Sequence, residues 1–404
     1  MTGFGRLLHR AWSLLPRRPR RWAFILASTL RAPRPQQPPP PARPPVVVAG
    51  VFRSASGLGE SARLQLAALT SADVPCAIAD LSPSLLGSDE LPLAASVPPV
   101  QPGPGSLILH VSGPFVPYAL GWLGRPIVAE KRVIGFWHWE LPRLPREWRV
   151  GCRYVHEVWV PSRFVAEAVA ADFAGPVRVV PHPISLPEGV DPAPLRRRFG
   201  GAFLAVAMFN MASGFERKNP LAAVAAFRRA FDRDMGARLV VKMLNGQVWP
   251  DGERALRAAI ADAPNIELVT DTMSRVEVFS LLAAADVALS LHRAEGFGLL
   301  AAEAMLLGTP VVATDWSATT DFVNAANACP VPCRLVPAID PQGSYHDPNQ
   351  RWADPDIDAA AQWLRRLRED HALAERLGRT ARAMAIEMFG LENYSLRTRT
   401  ILGF

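Results

Sequence analysis

The chain has 404 residues, 49% of them hydrophobic, which is enough for two ordinary domains with their own cores. Its formal net charge of +7 comes from the first 45 residues, which hold nine arginines and no acid, so the rest of the chain is close to neutral. That distribution argues against a nucleic-acid-binding body, which would carry its charge on a folded face. The four scattered cysteines, Cys76, Cys152, Cys329 and Cys333, form neither a metal set nor a disulfide framework.

Residues 1–45 read as an arm before the fold. Phe4, Leu7, Leu8, Ala11, Trp12 and Leu15 recur at helical spacing, with Arg6, His9, Arg10 and Ser13 on the other face. Such a helix suits a membrane interface. Residues 22–30, "WAFILASTL", are a second apolar stretch, too short to span a bilayer. Residues 31–45 are proline-dense and read as an extended spacer. Peripheral contact of residues 1–34 with an anionic membrane surface follows, each basic residue contributing about 1 kcal/mol. A disordered basic arm or an export signal is the alternative.

The body opens at Val46. "VVVAGVF" (46–52) is a buried-strand pattern, and a glycine-containing loop with Gly57 and Gly59 leads into a helical period. "LILHV" (107–111), "RVIGFW" (132–137), "EVWVPS" (157–162) and "VRVVPHP" (177–183) are further strand-like runs. Their alternation with helical segments predicts an α/β layer with a mostly parallel sheet. Around residues 188–201, Pro, Gly and charge interrupt the pattern as a linker would. A second series follows, with strands near 202–210, 237–246, 266–271, 286–292 and 310–315, and helices between them. Beyond Pro355 the pattern is helical. Two Rossmann-like domains, 46–190 and 200–385, are predicted, with a ligand cleft between them.

Residues 295–303, "EGFGLLAAE", place two glutamates around a glycine-containing apolar run. Glu295 falls in the loop beyond a strand, and a helix begins near Phe297-Gly298 and ends before Gly308. The free N–H groups at a helix start favour an anion, and Gly296 and Gly298 let that backbone approach closely. Glu303 lies more than a turn inside the helix. The two acids are therefore not the opposed pair of a glycosidase. Carboxylates also accept hydrogen bonds from hydroxyls, which suits sugar and ribose. In "FERKNP" (215–220), Arg217 and Lys218 precede an Asn-Pro helix start. Two cations at the cleft edge can neutralise a diphosphate; in isolation such a pair is more often a solvated surface pair.

Together these stretches resemble the retaining glycosyltransferases of family 4, with the GT-B fold, over residues 46–404. The carriers are the Glu295 and Glu303 spacing in "EGFGLLAAEAMLLGTPVVAT", the Lys218 loop, "EVWVPSRFVAEAV" with "VRVVPHP", and "SGLGESAR". The resemblance implies that Glu295 contacts donor-sugar hydroxyls and Glu303 the nucleotide ribose. It implies that Phe297, Gly298, Leu299 and Leu300 offer backbone N–H groups to a diphosphate paired with Lys218, while Gly57 and Gly59 approach the same phosphates. Asn245 and Thr270 stand at strand ends where the base would sit. Residues 386–404 would pack back on the first domain.

Two departures stand out. Ala212 occupies a position where relatives often carry arginine, and Arg217 would compensate. Relatives often place a histidine after the fourth N-terminal strand, whereas "LILHV" is followed by Ser112-Gly113-Pro114. His138, with Glu140, is then the polar candidate. The implied activity is transfer of a sugar, a hexose above all, from a nucleotide sugar to a cell-envelope glycan or lipid-linked acceptor, such as lipopolysaccharide. It would retain anomeric configuration and proceed in the cytoplasm at the inner face of the membrane. No metal, resident cofactor or nucleic acid is implied. The Asp-x-Asp pairs Asp232/Asp234, Asp354/Asp356 and Asp356/Asp358 read as surface groups. A non-catalytic carbohydrate-binding scaffold, a glycan phosphorylase or a nucleotide-sugar epimerase of the same fold are the alternatives.

Overall fold

The computed structural model describes residues 17–54, 56–85, 91–93 and 98–403. The amphipathic pattern of residues 4–15 lies outside them.

The first domain is a six-stranded parallel sheet in the order β2-β1-β3-β4-β5-β6. Its strands are β1 (Val46–Gly50), β2 (Cys76–Asp80), β3 (Gly105–His110), β4 (Lys131–Phe136), β5 (Glu157–Val160) and β6 (Val177–Val179). All five residues of β1 are buried, as expected of an apolar run covered on both faces of a parallel sheet. The second domain repeats the design in the order β12-β11-β10-β7-β8-β9. It uses β7 (Phe203–Asn210), β8 (Ala237–Leu244), β9 (Ile266–Val269), β10 (Val287–Ser290), β11 (Val311–Thr314) and β12 (Cys329–Val331). Both domains are thus doubly wound, and both present the C-terminal edges of their strands as the natural ligand-binding rim.

A separate antiparallel hairpin, β13 (Cys333–Ala338) with β14 (Asp347–Pro355), departs from the sequence expectation. Its prolines and exposed charges carry no strand period, which an isolated hairpin outside the two sheets tolerates. Edge strand β2 also escaped the reading. Its "CAIAD" is five residues long and too weakly apolar to stand out.

The proline-dense segment is not a free spacer. Arg132 donates to the Pro40 carbonyl (3.2 Å), His156 Nε2 donates to the Gln36 carbonyl (2.9 Å), and the Arg43 N–H donates to Ser106 Oγ (3.1 Å). A stretch poor in N–H donors is thereby held on the first domain by its carbonyls and by the Arg43 N–H. Before it, the helix Arg17–Arg31 packs Ile25 and Ser28 inward and sets Phe24 against Phe115 and Tyr118.

At the other end, the helix His371–Phe389 lies on the second domain, and Phe389 packs against Phe297 (5.4 Å). The chain turns at Gly390. The helix Leu391–Leu402 then buries Tyr394 and Leu402 in the first domain's core, and Ser395 Oγ donates to the Ala68 carbonyl (3.1 Å).

Candidate active site

The loop after β10 and the short helix Phe215–Lys218 after β7 meet at the rim of the second sheet. Lys218 Nζ lies 2.5 Å from Glu295 Oε1, and Arg217 Nη1 lies 3.2 Å from Glu295 Oε2. Ser317 Oγ accepts from the Glu295 N–H at 2.9 Å, which fixes the start of the loop. Burial alone would raise the Glu295 carboxyl. Lys218, Arg217 and His292 outweigh it and hold the group down at about 2, so Glu295 is an anion at any physiological pH. It cannot be a general acid, in line with the reading that rejected a glycosidase pair.

Arg217 corrects the expectation of a free phosphate cation. It is 3% exposed. It donates to the carbonyls of Ser213 and Ala294, both at 2.9 Å, and its guanidinium stands 5.1 Å over the Tyr345 ring and 3.9 Å from Glu140 Oε1. Its fork is thus used to orient Glu295 and to reach across to the first domain, whereas Lys218 keeps an exposed portion.

The helix Leu299–Leu307 starts at Gly298, whose φ of 101° is a left-handed value that suits glycine, and no side chain caps its first turn. An added Cβ there would stand 2.6 Å from Thr319 Cγ2. The Leu299 and Leu300 end of the helix therefore presents bare backbone toward Lys218 and Glu295. Leu300, Lys218, Ser290 and Glu295 line a space of about 20 Å³. The Phe297 side chain turns away into the core against His182 (5.0 Å) and Phe322.

Glu303, inside the same helix, is buried. Burial raises its carboxyl to about 7, with Glu60 adding to the rise and Arg275 opposing it. Arg275 Nη1 is 3.7 Å from Glu303 Oε1 and is also hydrogen-bonded to Glu60 of the first domain, while Nη2 donates to the Ser185 carbonyl (3.0 Å). Glu60 is in turn held by Arg63, which also grips the carbonyls of Phe52 and Ser54 in the first glycine loop. Within that loop the two glycines differ. A Cβ on Gly57 would meet open space, whereas one on Gly59 would stand 2.3 Å from the Ser54 carbonyl oxygen. Gly59 is thus required by loop packing, and Gly57 is the one with room for a ligand.

The histidine departure disappears. Because Cys76–Asp80 is a strand, "LILH" is the third strand and "KRVIGF" the fourth, so the residue pair after β4 is Trp137-His138. His138 Nε2 shares a hydrogen bond with His182 Nε2 at 2.8 Å. Its Nδ1 is buried with no partner among the described residues. Burial lowers His138 to about 4, so the ring is neutral near pH 7 and fit to hydrogen-bond but not to deliver a proton. Glu140 accepts from the Tyr345 hydroxyl at 3.0 Å.

Asn245 stands at the end of β8 in a left-handed conformation, donating to Asn210 Oδ1 (3.1 Å), and Thr270 is exposed at the end of β9. Both are on the rim, one and two strands beyond β7. Four of the five Asp-x-Asp carboxylates are engaged elsewhere. Asp234 pairs with Arg368, Asp354 with Arg293 and Arg334, and Asp358 with Arg229, while Asp356 caps a helix. A roomier groove of about 670 Å³, bounded by Asn219, Arg293, Arg334 and Asp354, lies beside this cluster at the hairpin base.

Sequence reasoning missed Tyr345 and Arg275. Tyr345 sits in a hairpin with no period. Arg275 had a usable signal, since Ser274 and Glu277 form a capping box that locates a helix start just after the β9 rim.

A family profile described as "Family 4 Glycosyltransferase in conflict systems" matches residues 164–389, more than half of the chain and all of the helix-start site. The chain belongs to the family 4 glycosyltransferases. The glycosyltransferase is 28% identical over 289 residues to the MMP alpha-(1->4)-mannosyltransferase of Mycolicibacterium hassiacum, an alignment covering 69% of this chain and 59% of that protein. It therefore spans less than two thirds of that relative's length. Among solved structures it is similar to Anabaena HepE in complex with UDP-glucose, with a TM-score of 0.64, 14% identity, and 89% and 99% of the two chains covered. It is also similar to S. aureus TarM, with a TM-score of 0.53, 15% identity, and 74% and 55% covered. At these identities the structures establish the fold, which is GT-B: two Rossmann-like domains facing each other across a cleft.

Proposed function

We propose that this glycosyltransferase moves a hexose from a nucleoside-diphosphate sugar to a hydroxyl of a cell-envelope glycan or lipid-linked acceptor, with retention of configuration and without a metal. The observation that carries the reading is the convergence of Lys218, ionised Glu295 and the uncapped start of the helix Leu299–Leu307 on one rim. The diphosphate sits on that helix start with Lys218 as its counter-charge. Glu303 accepts from the ribose hydroxyls, and Glu295 accepts from hydroxyls of the sugar. His138 offers the unpartnered Nδ1 to a donor or acceptor hydroxyl. The bond from the anomeric carbon to the diphosphate oxygen breaks as the acceptor oxygen bonds to that carbon on the same face, and the departing diphosphate takes the acceptor proton. Charge on the leaving group is the principal thing to stabilise, and preorganised cations and dipoles do that in a dry site.

A hexosyl donor draws support from two relatives, one a mannosyltransferase and the other crystallised with UDP-glucose. Opening of the cleft to admit the donor would release the Arg275–Glu60 and Tyr345–Glu140 contacts that bridge it. Glu295→Gln and Lys218→Met should each abolish transfer from a nucleotide sugar while circular dichroism stays that of the parent. Full activity in both purified variants would overturn the assignment.

A further inference from the structure

The helix Arg17–Arg31 is docked on the first domain by one face and bare on the other. Trp22, Leu26 and Leu30, spaced one turn apart, are 50%, 62% and 80% exposed, opposite the buried Ile25 and Ser28 side. Beneath the arm lies the helix Val116–Leu123. Its half-exposed Trp122 lines, with Phe24, Ala27 and Tyr118, a groove of about 350 Å³ between the two helices. Isolated exposed apolar residues need no explanation, but a continuous stripe on an otherwise docked helix does. Arg21, Arg31, Arg34 and Arg125 surround this region and are exposed. Among the described residues only Arg21 of these four has an acidic partner, Glu147 at 3.1 Å.

We propose that this composite face docks the enzyme on an anionic lipid bilayer. Trp22, Leu26 and Leu30 enter the boundary between headgroups and acyl chains, and the arginines meet lipid phosphates. Charge decides between the possible occupants. A second copy meeting this face with its own would bring arginines against arginines. Residues 1–16 would do the same, since they carry Arg6 and Arg10 and no acid. An anionic bilayer is complementary to the face. The helix Val116–Leu123 follows β3 through a turn at Gly113–Phe115, so it starts at the same sheet edge from which His138 leaves β4. The Phe24 end of the docked face, packed on Phe115, therefore lies at the ligand-binding edge of the first sheet, and the Arg31 end, near Gly121, lies away from it.

Flotation of the full chain with vesicles tests this, comparing phosphatidylcholine alone with vesicles in which about a third of the lipid is phosphatidylglycerol. The parent should float with the anionic vesicles only. The double variant Leu26→Glu/Leu30→Glu should bind roughly tenfold more weakly or worse, with an unchanged melting curve because both side chains are exposed. No flotation of the parent would overturn the proposal. So would a variant that floats like the parent, which would assign binding to residues 1–16, or a dimer in sedimentation that the variant dissolves. Transfer to a soluble acceptor should be the same in parent and variant. Docking does not rest on the cleft chemistry, so a chain that floats without transferring sugar refutes only the catalytic reading.

Discussion

Replacing Arg217 with methionine separates a positioning role from a phosphate-binding one. The substitution keeps the apolar stem but removes the N–H donors to the Ser213 and Ala294 carbonyls and one of the two cations on Glu295. Removing one partner of a buried ion pair costs about 3–5 kcal/mol. Lys218 still compensates Glu295, so the lower end, about 3 kcal/mol, is expected. If the second domain, about 200 residues, melts as a unit, a loss of that size lowers its Tm by roughly 6–12 °C. Lys218→Met is the contrasting variant. Lys218 is partly exposed, and its loss should move Tm little while weakening a nucleoside diphosphate by roughly ten- to a hundredfold, the worth of one charge-assisted hydrogen bond. Thermal unfolding with and without UDP or GDP reads both effects. An Arg217→Met protein that melts with the parent yet no longer responds to nucleotide would show that the guanidinium reaches the phosphate, and the positioning role would fail.

Nucleotide affinity should also depend on pH through Glu303. Burial holds its carboxyl up at about 7 in the free protein, whereas ribose hydroxyls donate to the ionised form. Binding is therefore favoured above pH 7 and lost as pH falls through it, approaching tenfold per unit. Calorimetric titration at several pH values should show that slope in the parent and a shallower one in Glu303→Gln; equal slopes would contradict it. Gly298→Ala forces a left-handed φ costing about 1–2 kcal/mol and drives a methyl toward Thr319. It should displace the helix start and weaken nucleoside diphosphate binding at least tenfold, by about 1.4 kcal/mol, and unchanged affinity would remove the helix start from the site. Arg275→Ala cuts the tie between Glu60 and Glu303, so small-angle scattering should show a larger radius of gyration for the free protein. An identical radius would mean that other contacts hold the domains.

The two parallel sheets were legible because their strands are runs of Val, Ile, Leu and Ala that stay apolar on both faces. Their rim was legible too, since Glu295 and Lys218 each follow such a run directly. What escaped was held together by tertiary contact. The hairpin that brings Tyr345 to Arg217 and Glu140 has no period to read, and its register depends on a bulge near Ala338. Arg217 and Lys218 are neighbours in sequence and look equivalent there. Only the short helix that carries them turns one inward and leaves the other at the mouth. His138 was found for an incomplete reason, because one weak edge strand, Cys76–Asp80, shifts the count of strands before it. The arm was read as basic and apolar, but not as a helix packed on the first domain, because Phe24 finds its partners, Phe115 and Tyr118, more than ninety residues away along the chain.

Calorimetric titration of the full-length chain with UDP and GDP asks most directly whether the cleft is a nucleotide-sugar site. One nucleoside diphosphate should bind at a single site per chain, and Lys218→Met and Glu303→Gln should each weaken it at least tenfold, about 1.4 kcal/mol. A chain that binds neither nucleotide, or one whose binding both variants leave intact, would contradict the assignment.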